Sequence, residues 1–246
     1  MNADRIELSY GRGNVEFSFD PERFSVISTR KDNESPLSDF QVGAAFDTPI
    51  ASPPLDEVVS SDDSVLIVVS DATRATASAQ IVNLLVRRLV QAGVSPARLA
   101  IIFATGIHRP VTEKEKVELL SPFIVQRLRI LQHDAYDQNQ LITLGTTANG
   151  VTVEVNNALK EFSRVVVTGG VTFHYFAGFT GARKSICPGL ASAKTIEATH
   201  MLALDFETGG RRAGVQTGQL DGNAVHEECE SVASLMSPAF SINTIV

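Results

Sequence analysis

The chain has 246 residues, enough for one large domain or two small ones with a sizeable buried core. Hydrophobic residues make up 43%, yet no apolar run approaches the ~20 residues that span a bilayer, so no membrane partner is expected. A net charge of −7 argues against a nucleic-acid binder, which needs a basic face to neutralise phosphates, and any anionic ligand must be held by a local cluster.

The first ten residues, MNADRIELSY, have neither a basic stretch nor an apolar one, so no signal peptide is expected and a cytoplasmic location follows by default. IELSY (6–10) and VEFSFD (15–20) alternate apolar and polar residues around GRGN, the pattern of a half-buried hairpin expected to cover one edge of a sheet. Residues 31–54, rich in Ser, Asp and Pro, read as a long connection, followed by a short helix over PLDEVVSS. SVLIVVS (64–70) is a continuous apolar run, and residues 76–93 form an amphipathic helix closed by Gly93. Further runs follow at RLAIIFAT (98–105), RLRILQH (127–133) and RVVVTGG (164–170). Short β-rich runs separated by helices predict an α/β fold: a mostly parallel sheet with helices on both faces and an N-terminal β-hairpin, all in one domain over residues 1–246.

Ligands of open parallel sheets collect at the carboxyl ends of the strands. The loops there are SDATRAT (70–76), TGIHRP (105–110), HDAYD (133–137) and GGVTFHYFAGFTGARKSICPG (170–189), and four of the five histidines, His108, His133, His174 and His200, lie in or just after them. GFTGARKS (178–185) is one residue away from a P-loop, but Arg183 stands where glycine is needed and Pro188 interrupts the helix that should follow. Arg183 with Lys184 still makes that loop cationic and suited to a phosphate or carboxylate.

In SDATRAT, Ser70 or Asp71 can cap a helix beginning near Ala75. Alternatively, Arg74 in its first turn, unfavourable against the helix dipole, marks a bound anion. His108 is either a turn histidine or, with His174, one of an acid–base pair acting on opposite faces of one carbon. His200 at a helix end is explained by the dipole or by metal ligation. His226 reads as a partly exposed helix residue, HYFAGF largely as aromatic packing, and Cys187 lacks an assigned base. Cys187 and Cys229 have no C-x-x-C spacing and are expected to be reduced thiols.

Taken in order, SDATR, ATGIHRP, HYFAGFTGARKSICPG and KTIEATH resemble the lactate racemase family of nickel-pincer-nucleotide 2-hydroxyacid racemases and epimerases. The resemblance implies that Lys184 carries the cofactor covalently, a pyridinium-3,5-bisthiocarboxylic acid mononucleotide type of nickel-pincer nucleotide. It also implies that His200 ligates the nickel, that His108 and His174 are the acid and base, and that Asp71, Thr73 and Arg74 bind cofactor, Arg74 also contacting substrate. The chemistry it implies is reversible oxidation of a 2-hydroxy acid to its 2-keto acid, with hydride passing to the pyridinium ring and back. The implied partners are a small 2-hydroxy acid and the proteins that make the cofactor and insert nickel. The sequence departs from the family at Ala182, where a second glycine is usual. It also ends in an apparent strand, AFSINTIV (239–246), where the family continues into a second domain, so the resemblance is to an N-terminal lobe of a two-domain enzyme. The alternative is a non-catalytic anion- or nucleotide-binding α/β module, or a lobe without activity on its own.

Overall fold

The computed structural model describes residues 4–11, 13–27 and 35–245. Arg12 of the expected GRGN turn, residues 31–34 of the expected long connection and Val246 of the final strand lie outside the described residues. The contacts divide the chain into two compact units, Met1–Pro36 and Leu37–Val246.

In the first unit, β1 (Asp4–Tyr10) and β2 (Gly13–Phe19) form the expected antiparallel hairpin, with Leu8 opposite Val15 and Ile6 opposite Phe17. They make a two-stranded sheet of their own. The half-burial implied by their alternation is not met: Leu8 is 49% and Phe17 53% exposed, because a two-stranded ribbon has no second layer of its own against which to bury a face.

In the second unit, α1 (Asp39–Asp47) and α2 (Leu55–Val58) precede β3 (Val65–Ser70). From β3, α3 (Ser78–Gln91) leads to β4 (Leu99–Ala104), and α4 (Glu113–Leu120) with α5 (Pro122–Arg127) leads to β5 (Arg129–Gln132). An antiparallel pair, β6 (Leu141–Thr146) and β7 (Thr152–Asn156), and α6 (Ala158–Glu161) come before β8 (Arg164–Gly170). The chain then makes a small hairpin of β9 (Phe173–His174) and β10 (Gly178–Phe179), followed by α7 (Arg183–Ile186) and α8 (Ala193–Met201). A second small hairpin, β11 (Leu204–Asp205) with β12 (Gly210–Arg211), leads through α9 (Ala224–Met236) to β13 (Phe240–Thr244).

The five-stranded sheet has the order β13-β8-β3-β4-β5, and every pairing in it is parallel. The chain starts at its centre, builds outward through β4 and β5, then returns to the other side of β3 with β8 and β13. Helices cover both faces. Val65, Ile67 and Val69 point into one core with Phe46, Leu85, Leu120 and Ile124, while Leu66 and Val68 point into the other with Leu159, Ile186, Ile196 and Val232. That alternation of one apolar strand between two cores is why β3 reads as an unbroken hydrophobic run.

Three local expectations change. Inside the expected 31–54 connection lies α1, started by a capping box in which Ser38 Oγ accepts from Gln41 N–H and Ser38 N–H donates to the Gln41 side chain. The β6–β7 pair lies between the third and fourth expected strands, turning at Asn149–Gly150. Helix α3 starts at Ser78, not near Ala75, and its N-cap is Ala77 in a left-handed conformation with no side-chain cap. Neither Ser70 nor Asp71 caps it, and Arg74 lies in the preceding loop instead of a helical turn. Gly93 does close α3: at φ +96° it lets Val94 N–H reach Leu89 C=O at 3.0 Å.

Phe103 on β4 is fully buried. Phe103→Ala is expected to lower the unfolding free energy by about 3–5 kcal/mol, read from urea denaturation. A loss below about 1 kcal/mol, the level of an ordinary substitution, would contradict this packing.

Candidate active site

β3, β4 and β8 end side by side, and the backbone leaving them surrounds a cavity of about 420 Å³. Asp71, Thr73, Arg74, His108, His174, Lys184 and His200 all line it. The residues that the family resemblance marks out therefore reach one space, at the carboxyl ends of the strands as expected for an open parallel sheet.

The loop after β3 is folded on Asp71. Its Oδ1 accepts from the backbone N–H of Thr73 at 2.8 Å and from the Thr73 hydroxyl at 2.6 Å, and its Oδ2 meets His108 Nδ1 at 2.6 Å. Burial pushes the Asp71 carboxyl up, but the hydrogen bonds from Thr73 and His108 outweigh it and hold the group below its ordinary value. An ionised carboxylate only accepts, so His108 carries a proton on Nδ1 and, when neutral, offers a lone pair at Nε2. Asp71 and His108 are 37 residues apart, and no sequence spacing announces the contact.

His174 is held from the other side. The β9–β10 hairpin pairs it with Gly178, and the backbone N–H groups of Phe176 and Ala177 both donate to its Nδ1 at 3.1 Å. Its Nε2 lies 3.1 Å from Lys184 Nζ, and the Tyr175 ring stacks on it with centroids 4.9 Å apart. Burial, then the nearness of the basic groups Lys184, Arg74, His200 and Arg183, lowers His174 to about 4. Lys184 is likewise lowered, chiefly by burial.

Arg183 turns away from the cavity. Its guanidinium donates to the carbonyls of Thr180 and Phe179 at 2.8 and 3.0 Å, so Lys184 lines the cavity with Arg74 instead, and the expected Arg183–Lys184 cluster is not formed there. The single turn of α7 ends at Cys187, just before Pro188, consistent with rejecting a P-loop. The turn needs glycine at two places. Gly178 has φ +70° with Gln219 C=O filling the position a Cβ would occupy, and Gly181 has φ +124°.

His200 lies near the end of α8, whose N-cap Ser192 accepts from Thr195 N–H. Its Nδ1 donates to Ile196 C=O at 2.7 Å, which leaves Nε2 as a lone pair, and the Phe176 ring packs edge-on at 6.2 Å. Burial lowers its pKa. Among the described residues no group of three or more His, Cys, Asp or Glu side chains could hold a metal ion. The remaining histidines stand apart. His133 is buried, bonded to Ala191 C=O through Nε2 and to the Asn156 amide through Nδ1. His226, expected to be partly exposed, is buried at 9%, with Glu230 at 3.7 Å. Cys187 and Cys229 are free and buried, as expected of reduced thiols. Tyr175, absent from the expected site, lines the cavity, its role hidden in a run that reads as aromatic packing.

Residues 10–209 match the sequence profile described as the lactate racemase N-terminal domain. The chain belongs to this family. It is 32% identical over 245 residues to a lactate racemase of Lactiplantibacillus plantarum and 29% identical over 244 residues to one of Thermoanaerobacterium thermosaccharolyticum. Both alignments cover 98% of this chain and 56% of the relative, so the chain spans about half the length of the curated relatives it matches. The lactate racemase apoprotein of T. thermosaccharolyticum superposes with a TM-score of 0.81 at 27% identity, over 99% of this chain and 56% of that one. A Thermotoga maritima protein, 21% identical with a TM-score of 0.67 over 82% of this chain and 48% of that one, shares the fold alone. The resemblance to a lactate racemase N-terminal lobe is borne out. The departure of this lactate racemase N-terminal domain at Ala182 costs nothing in backbone, since that residue sits at φ −60°, ψ −29°, where any L-residue is at ease. No helix among the described residues is long and apolar enough to cross a membrane.

Burial lowers His133, His174 and His200 alike. The unfolded chain, with histidines near 6.5, therefore binds protons that the folded chain refuses down to about 4 at His174. Stability is expected to be full above pH 6.5 and to fall as pH drops through that window, Asp71 adding to the loss only below its ordinary 3.8. Thermal midpoints between pH 7.5 and 4.5 check this, and His174→Gln should flatten the decline; a level wild-type profile would refute it.

Proposed function

We propose that this chain is the cofactor-holding half of a 2-hydroxyacid racemase or epimerase of the lactate racemase type. The observation that carries the reading is the pair of histidines fixed in opposite tautomers on one cavity: His108, held by Asp71, offers a lone pair at Nε2, and His174, held by two backbone N–H groups, offers a proton at Nε2. A base and an N–H donor that border one cavity suit removal of a hydroxyl proton with support for the oxygen it leaves.

The residues present fit a nickel-pincer nucleotide. A metal that arrives with its own donors and takes one imidazole would find a lone pair at His200 Nε2. Lys184 is the amine to which the group attaches, and Asp71, Thr73 and Arg74 border it. When bound, the group supplies a reversible hydride acceptor. The chain does the rest. Arg74 holds the substrate carboxylate with its planar fork and fixes which carbon faces inward. The hydroxyl proton moves to His108 Nε2 as the carbon is oxidised and returns from it as the carbon is reduced, while the Nε2–H of His174 hydrogen-bonds the substrate oxygen. The partners on this reading are a small 2-hydroxy acid and the proteins that make the cofactor and insert nickel.

In the protein extended to the length of its relatives, Lys184→Ala is expected to abolish both the covalent adduct, seen by intact mass, and racemisation. Normal activity would remove the tether. His108→Ala and His174→Ala should each lose at least ~10²-fold in both directions, since general acid–base help is worth ~10² to 10⁴-fold and the full cycle uses both groups. Wild-type nickel and adduct content are the controls, and full turnover by either variant at full loading would strike that histidine from the mechanism.

A further inference from the structure

The bonds around His174 fix the state of its neighbour as well as its own. A ring nitrogen that accepts from two N–H groups cannot carry a proton, so the donors of Phe176 and Ala177 exclude both the Nδ1–H tautomer and the imidazolium. The one remaining proton is on Nε2, which faces Lys184 Nζ at 3.1 Å. An N–H aimed at a nitrogen needs a lone pair there. An ammonium has three N–H groups and none to give. We propose that Lys184 of the unmodified chain is held as a free amine, a built-in nucleophile that takes an acyl group from an activated carboxyl derivative with no partner protein to deprotonate it.

The surroundings agree. The positive charge of Arg74, from the loop after β3, and of Arg183 on α7 disfavours an ammonium here, against the opposing influence of Cys229 and Cys187. Burial leads in lowering the lysine. The amine nevertheless borders the open cavity, so a small electrophile can reach it, and Arg74 in the same lining suits an anionic one. In the step, the Nζ lone pair attacks the acyl carbon of a thioester or acyl phosphate and a C–N bond forms. The bond to thiolate or phosphate breaks with its electron pair, and the surplus proton on nitrogen passes to the leaving group or to water. The product is an amide, and no oxidant or reductant is required.

The purpose of this reactivity rests on the tether reading, whereas the free amine rests on the hydrogen bonds alone, and two measurements on this chain test it. The first is the acetylation rate of each lysine by N-hydroxysuccinimidyl acetate as a function of pH, followed by peptide mass spectrometry. The Lys184 rate is expected to level off at a lower pH than those of the free model amines Nα-acetyl-lysine and Nα-acetyl-lysine amide, which keep rising about tenfold per unit toward the ordinary lysine range. A levelling point reports protonation whatever the access, so a Lys184 curve parallel to theirs overturns the proposal. The second is nitrogen NMR of His174. A neutral Nε2–H ring at pH 7 supports the assignment, and a protonated Nδ1 overturns it. If Lys184 reacts as expected while the extended enzyme never carries an adduct, the tether fails and the free amine stands; an adduct on a lysine with ordinary titration gives the reverse.

Discussion

Every charged group of the cavity rides on backbone that leaves three parallel strands, β3, β4 and β8, which end side by side. Those strands are buried on both faces between two separate cores, so their ends cannot shift without disturbing one core or the other. The loops have no such support of their own. They are fastened by direct contacts at the strand ends: Gly169 runs so close to the Lys184 loop that a Cβ there would meet Ala182 N at 2.7 Å, and Gly106 N–H bonds Gly189 C=O at 2.8 Å. Asp71 and His108, 37 residues apart in sequence, are thereby placed within hydrogen-bond distance.

On that frame, each cavity histidine is pinned through the same atom to a different kind of partner. Nδ1 of His108 faces a carboxylate, Nδ1 of His174 accepts from two amides, and Nδ1 of His200 donates to a helical carbonyl. The partner sets the tautomer, and the tautomer sets what Nε2 presents to the cavity: a lone pair on His108 and His200, a proton on His174. Burial then disfavours the charged form of His174 and of His200. Three copies of one residue type thus carry different chemistry because their neighbours differ.

The parallel sheet was legible because strands buried on both faces leave continuous apolar runs, and the site because its residues sit in the loops directly after those runs. What escaped was set by contacts that the chain order does not encode. Asp71 reads as a helix cap until His108 is seen beside it. Arg183 reads as half of a cationic pair, but its guanidinium is consumed by carbonyls three and four residues back. The α1 helix and the β6–β7 hairpin did have local signals, the Ser38–Gln41 capping box and the Asn149–Gly150 turn, submerged in stretches whose composition favours loops. The roles of Lys184 and His200 came from resemblance; spacing alone left His200 equally well explained by the helix dipole.

The His174–Lys184 contact also bears on the order in which the site becomes competent. While the lysine is an amine, its lone pair occupies the proton on His174 Nε2, the same N–H that is proposed to hydrogen-bond the substrate oxygen. Turning the amine into an amide draws that lone pair into resonance with the carbonyl, and an amide nitrogen accepts hydrogen bonds poorly. His174 cannot compensate by moving its proton to Nδ1, because Phe176 and Ala177 N–H already fill that side. The freed Nε2–H is therefore left facing the cavity. If the proposed acylation takes place, one hydrogen bond would link loading to catalysis: the ring that keeps the lysine an amine beforehand would be released as an N–H donor to the substrate oxygen.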